Sequence, residues 1–428
     1  MFWGELPMDK PIAIANDSLN TWRAAPPFLF GLFAALAVIV PLFGQSFRVS
    51  GRTLSLLPLV LSLCAYFVSR RAVPKSRILI AIGVLLAVYI GLVFLSANSE
   101  QFGFLVHPSL WSGHDSDYIA SKLTLFVVFC FPPILLAVLA WTVEAQREMQ
   151  DGLVAGFITA AIIGALILLS SAAGAIHTDA AVSNAWYLGA GRAHFSIISM
   201  GLIFIIGGLA ALSKIGTGLW QSTAISIFVG CMIFGAFWLN RRIDTILFVI
   251  VIFATLGHRF AISPSLRKPR YLLMAAIPLV LIFAVSNATN LAYWINIASG
   301  LHYREEFAGD IVSAEAAPAA SSVWSTLFGH GLGAYAKIRP ETFYPHNLLL
   351  ETFYETGSIA AIVLVALIIL SLIGPAIALF QRRITSAGLF FAGTAILLIG
   401  VSTKSGDVTS AGLILMFAIL ASRTPSQA

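Results

Sequence analysis

Twelve apolar stretches dominate this chain, and most are long enough to cross the hydrocarbon layer of a bilayer. They lie at about 27–44, 54–69, 78–96, 123–143, 152–175, 194–212, 219–238, 244–257, 271–288, 357–380, 387–401 and 408–421. A spanning helix needs roughly 20 such residues. The runs at 244–257, 387–401 and 408–421 fall short of that and must recruit flanking residues to span. Only 10% of the residues are charged, against about 25% in a soluble domain. So few charges cannot clothe a globular surface of this size, so lipid is the solvent for most of the chain. These features predict an all-α polytopic membrane protein of about twelve transmembrane helices, forming a single membrane domain over residues 1–428. The first apolar run is long enough to span, so it reads as an uncleaved helix rather than a signal peptide.

The connections give the bundle a direction. With the N-terminus placed on the cytoplasmic side, the inner segments hold 15 of the 25 Lys and Arg, although they are the shorter set. This is the sense of the positive-inside rule. Arg70, Arg71, Lys75 and Arg77 anchor one inner loop, Arg267, Lys268 and Arg270 another, and Arg382 with Arg383 a third. Both termini are then cytoplasmic. Trp111, Trp141, Trp186, Trp220, Trp238 and Trp294 fall near span ends, as an aromatic belt places them. The long connections at 97–122, 176–193 and 289–345 all fall outside. The largest, 289–345, lies between spans nine and ten. Loops of that length tend to be functional, which puts the working face on the periplasmic side.

Several classes of function find no support. The net charge of +6 reflects loop placement, and no basic–aromatic nucleic-acid motif occurs. Cys64, Cys130 and Cys231 sit in apolar runs without a CxxC pair, so they read as packing residues. Gly329–Gly333, GHGLG, lacks the Lys-Ser/Thr of a phosphate loop and does not follow a strand, so it reads as a glycine turn. His107, His114, Asp115 and Asp117 have the residue types of a metal site, but no second cluster matches them. A solvated loop is the simpler reading, and no metal or other cofactor is expected.

The most informative segment runs from Tyr344 to Gly357, YPHNLLLETFYETG, straight into the tenth span. Pro345 suits the first turn of a helix, which would set His346 at the outer mouth of the bundle. Asn347, Glu351 and Glu355 recur every four residues and form one polar stripe. Polar groups entering a bundle usually face its interior or a wet cavity. The alternative is an interfacial helix with solvated polar side chains. Asn240-Arg241-Arg242-Ile243-Asp244 joins two spans with almost no loop and sets two arginines on the outer side, against the charge trend. They either serve a site or snorkel from a tight turn, with an Arg241–Asp244 pair. Arg192 and His194 stand at the outer start of span six, as site residues or as interfacial anchors. Arg304, in the large loop, either faces a substrate or pairs with Glu305 or Glu306.

The run GHGLGAYAKIRPETFYPHNLLLETFYETG resembles the signature of the O-antigen ligase and polymerase superfamily, which are polytopic membrane glycosyltransferases. That signature has a glycine-rich turn, a large outer loop, a His-Asn or His-Ser, apolar residues, and a Glu-x-Gly. Here these are Gly329–Gly333, His346-Asn347 and Glu355-Thr356-Gly357. The N-terminal half matches only in hydropathy. The resemblance implies transfer of a glycan from an undecaprenyl-diphosphate carrier to an acceptor hydroxyl, at the periplasmic face of a bacterial inner membrane, with inversion and without metal. It assigns His346 as the base or orienting group, with Asn347 beside it. Arg192, Arg241 and Arg242 would bind the diphosphate, with Arg304 and Glu355 as further substrate contacts. Expected partners are the lipid-linked donor, a glycan or lipid A–core acceptor, membrane lipid and, for a polymerase, a chain-length regulator. His-Asn in place of His-Ser leans toward polymerase over ligase. Twelve spans with both ends inside are also a transporter plan, so a lipid-linked glycan flippase is the competing expectation.

Overall fold

The computed structural model describes residues 12–40, 51–71, 76–97, 123, 126–172, 191–215, 219–238, 242–262, 309, 311, 322–335, 347–405 and 410–423. Among these residues the structure is helical and contains no strand. The one β-type pairing is an isolated antiparallel bridge between Arg71 and Val143. In chain order the helices are α1 Ile12–Ile39, α2 Gly51–Val68, α3 Arg77–Ala97, α4 Phe131–Ala140, α5 Gln146–Ala172, α6 Gly191–Ser213, α7 Leu219–Trp238 and α8 Arg242–Ile262. The short α9 Val323–Phe328 follows. Next come α10 Leu348–Glu351 with a π turn at Thr352–Thr356, α11 Gly357–Phe380, α12 Ser386–Ser405 and α13 Ala411–Ser422.

Eleven of the twelve apolar runs coincide with helices. The ninth, 271–288, lies outside the described residues. Two of the short runs gain length from polar neighbours. The run at 387–401 becomes the 20-residue α12, and that at 244–257 becomes the 21-residue α8, which begins at Arg242. The run at 408–421 stays short, as the 12-residue α13. Among the described residues, four helical stretches are long and apolar enough to cross a membrane: Arg77–Ala97, Gln146–Ile167, Leu348–Phe380 and Ser386–Thr403. The chain is therefore an all-α protein with membrane-spanning helices.

Close backbone approach sets the packing of α1 on α5. A Cβ added at Gly31 would lie 2.0 Å from the Met149 carbonyl oxygen, and one at Gly152 would lie 2.0 Å from that of Phe28. Gly156 faces Ala35 and Leu32 in the next layer. Small residues every four positions let helices meet at this range, where lipid offers no hydrophobic drive for association. The matched order 28/152 and 35/156 makes α1 and α5 parallel. Gly412 against Cys130, and the Ile419 carbonyl accepting from Trp141 Nε1 at 3.4 Å, likewise make α4 and α13 parallel. Gly208 meets Met232 while Gly235 meets Phe204, so α6 and α7 are antiparallel. Gly393 at Val251 and Gly400 at Leu247 make α8 and α12 antiparallel.

One end of the bundle is tied by polar contacts between connections. The Glu144 N–H donates to the Arg70 carbonyl at 3.0 Å, next to the Arg71–Val143 bridge. Tyr66 Oη and Thr142 Oγ1 lie 2.8 Å apart. Lys214, after α6, pairs with Asp151 in the first turns of α5. Those two side chains are 40% and 45% exposed, so the pair contributes at most about 1 kcal/mol. Its main consequence is geometric: the start of α5 and the end of α6 share one end of the bundle. The starts of α6 and α8 therefore lie at the other end.

Candidate functional site

The head of the Leu348–Phe380 rod is built from three unlike pieces. Asn347 is the N-cap of α10: its Oδ1 accepts from the N–H groups of Leu349 at 3.0 Å and Leu350 at 3.2 Å. Helical residues therefore begin at Leu348, and Pro345 precedes the cap. Pro345, expected in the first turn of the helix, lies outside the described residues. After one α turn the helix widens into the π turn Thr352–Thr356. Such insertions recur at functional sites. Thr352 Oγ1 bonds back to the Leu348 carbonyl at 2.7 Å, and Thr356 Oγ1 to that of Thr352 at 2.6 Å. Hydroxyl back-bonding of this kind bends helices.

At Gly357 the backbone breaks, with φ +92°. The carbonyls just before the break are therefore taken from the helix ladder and must find donors elsewhere. They find them in the glycine turn that follows α9. The His330 N–H donates to the Tyr354 carbonyl at 2.9 Å, and the Gly331 N–H to the Glu355 carbonyl at 3.0 Å. The next N–H, of Leu332, reaches the Ser96 carbonyl near the end of α3 at 3.1 Å. Gly329, Gly331 and Gly333 all have positive φ. A Cβ at Gly329 would lie 2.4 Å from the Glu355 oxygen, and one at Gly357 would lie 2.2 Å from the Leu327 oxygen. Three consecutive N–H groups of the turn, those of His330, Gly331 and Leu332, are thus spent on protein carbonyls.

Inside this knot sit buried ionisable groups. Glu351 is 0%, Glu355 1% and His330 2% exposed. The two glutamates of the stripe are therefore enclosed by protein, and the solvated interfacial helix does not describe them. Glu355 Oε1 accepts from the Tyr335 N–H at 3.4 Å. The His330 ring packs on Tyr354 with centroids 4.5 Å apart, and Tyr335 meets Tyr354 edge-on at 6.4 Å. A carboxyl group this deep is expensive to bury without donors, so the turn and the glutamate stabilise each other. The result is a rigid floor under the head of the rod, bearing an imidazole, carboxyls and phenols.

His330, Tyr335, Tyr354 and Ser96 were not among the expected site residues. A histidine between two glycines was the only signal of His330, and the sequence does not show that its ring turns inward. Of the expected residues, Asn347 and Glu355 are described and belong to this knot. Arg192 is the second residue of α6 and Arg242 the first of α8, so their backbones lie at one end of the bundle, away from the Asp151–Lys214 pair. His346, Arg241 and Arg304 lie outside the described residues, as do His107, His114, Asp115 and Asp117. Among the described residues no three His, Cys, Asp or Glu side chains gather as a metal site would. No protein-family model matches the chain, and no curated protein matches it.

Proposed function

We propose that this protein is a membrane glycosyltransferase of the O-antigen ligase and polymerase type. In this reading twelve helices span a bacterial inner membrane, both termini are cytoplasmic, and the Asn347 end of the rod faces the periplasm. One observation carries the reading. Two pieces of the segment that resembles the family signature, Gly329–Gly333 and Glu355–Gly357, pack on each other at the head of a long apolar helix, and Asn347 caps the turn that leads into them. A packed base shared by these pieces is what an outer-face site on a rigid support requires.

The chemistry follows from the donor. A glycan on undecaprenyl diphosphate is already activated, so no nucleotide domain is needed. The acceptor oxygen attacks the anomeric carbon, the bond to the diphosphate oxygen breaks, and negative charge grows on that leaving group. Arg192, Arg241 and Arg242 stabilise it through planar forks of N–H donors. The acceptor hydroxyl gives its proton to His346, acting as general base. Asn347 caps α10 through Oδ1 and holds the imidazole or the substrate, while Arg304 and Glu355 contribute to substrate placement. Polymerase is favoured over ligase by His-Asn.

The test is an assay of the purified protein in detergent with lipid-linked donor and acceptor. Joined glycan is expected. Absence of joining, together with transbilayer movement of the donor in vesicles, would make the protein a flippase. In cells lacking the protein, single-repeat glycans would mark a polymerase. Full-length glycan left on the carrier would mark a ligase.

A further inference from the structure

Four arginines from three elements stand at the bundle end opposite the glycine turn. Arg70 and Arg71 follow α2 and are joined to Val143 and Glu144 through the backbone. Arg147 lies in the first turn of α5. Arg423 is the C-cap of α13, one turn beyond Ile419, whose carbonyl is bonded by Trp141. All four therefore border the short connection Trp141–Ala145. The acidic residues there are Glu144 and Glu148, while Asp151 is engaged by Lys214. Neither Glu144 nor Glu148 makes an ion pair with any of the four among the described residues, leaving an excess of positive charge.

Part of this charge has a local explanation. Arg70, Arg71 and Arg423 follow helix C-termini, where cations complement the dipole. Two details go beyond it. The Arg71 guanidinium lies over the Tyr66 and Phe67 rings, at 5.2 and 5.5 Å. Stacking uses the face of the fork and leaves its edge N–H donors for another acceptor. Arg423 Nε is buried and has no acceptor among the described residues, and a buried unsatisfied donor is costly. Beside these groups α2 presents an apolar outer face, with Phe67 64% and Val68 72% exposed and Leu57 and Val60 exposed above them.

We propose that this corner binds an anionic glycerophospholipid, its phosphate held by Arg71, Arg147 and Arg423 and its acyl chains laid along the exposed face of α2. The charge selects an acidic headgroup, and the apolar strip continuous with it selects a lipid over a free anion.

The test is native mass spectrometry of the full-length chain in detergent, titrated with phosphatidylglycerol, phosphatidylcholine or inorganic phosphate. Phosphatidylglycerol should bind and phosphatidylcholine should not. Arg71→Gln with Arg423→Gln should weaken binding about thirtyfold, the loss expected for two arginines at a lipid surface. Thermal unfolding in neutral detergent checks that this variant folds. If it does not, Arg147→Gln, at an exposed side chain, should weaken binding about fivefold. Equal binding of the two lipids overturns the proposal, as does undiminished binding by the variants that fold. Inorganic phosphate competing as well as the lipid at equal concentration also overturns it, since that would be a free-anion site.

Discussion

Gly357 is the residue on which the candidate site turns. Its positive φ and its contact with the Leu327 carbonyl leave no room for a Cβ. Gly357→Ala should destabilise the protein by about 3 kcal/mol or more, because strain and a backbone clash act together. Gly374→Ala, in the same rod, adds a Cβ that meets nothing and should stay within about 1 kcal/mol of wild type. Thermal unfolding of the two variants in one detergent makes the comparison. Asn347 gives a second prediction, which separates capping from chemistry. Asn347→Ala should cost about 1 kcal/mol through loss of the cap and lower transfer. Asn347→Ser keeps a capping oxygen and should restore stability. If Ser also restores transfer, the side chain acts through the backbone; if not, it touches substrate. Much at this scale was legible beforehand. The four-residue spacing of Asn347, Glu351 and Glu355 marked them as one set, and the two glutamates are buried. The π turn and the break at Gly357 were not legible, since a period of hydrophobic residues does not report one extra residue in a turn. Nor could the sequence show that the His330 and Gly331 N–H groups would be the donors for the freed carbonyls.

Among the helices, the parallel pair α1–α5 depends on glycine more than on any side-chain contact. Gly156→Leu must fit new atoms where a Cβ alone would already lie 2.6 Å from Ala35 Cβ. It should cost about 3 kcal/mol through overpacking. The same change at Gly91, where an added Cβ meets nothing, should be nearly neutral. Unfolding midpoints in denaturant or on heating measure both. The sequence displayed Gly152 and Gly156 at the right spacing but gave no partner, because pairing in lipid is decided by shape between distant segments. Element ends were misjudged where polar residues continue a helix. Arg242 opens α8 and is not a loop residue, and Lys404 and Ser405 extend α12. Hydropathy ends a span where the charges begin, whereas the backbone continues until its hydrogen bonds have no further partner.

For the whole molecule, a few residue contacts set the relative directions of four helix pairs among the described residues. The ties among Arg70, Glu144, Asp151 and Lys214 gather at one end. The glycine turn, Ser96 and the π turn Thr352–Thr356 gather at the end of α3. The two sets of contacts therefore stand at opposite ends of the bundle. In the proposed glycosyl transfer the acceptor hydroxyl needs a base, and the proposal assigns that role to His346. The decisive measurement is chain joining by purified His346→Ala beside wild type, with lipid-diphosphate donor, acceptor, and equal amounts of folded protein verified by thermal unfolding. Joining by wild type, with a loss of at least about a hundredfold in the variant, is the expected result for removal of a general base. Full activity in the variant would contradict the mechanism, and no joining by folded wild type would contradict the glycosyltransferase reading itself.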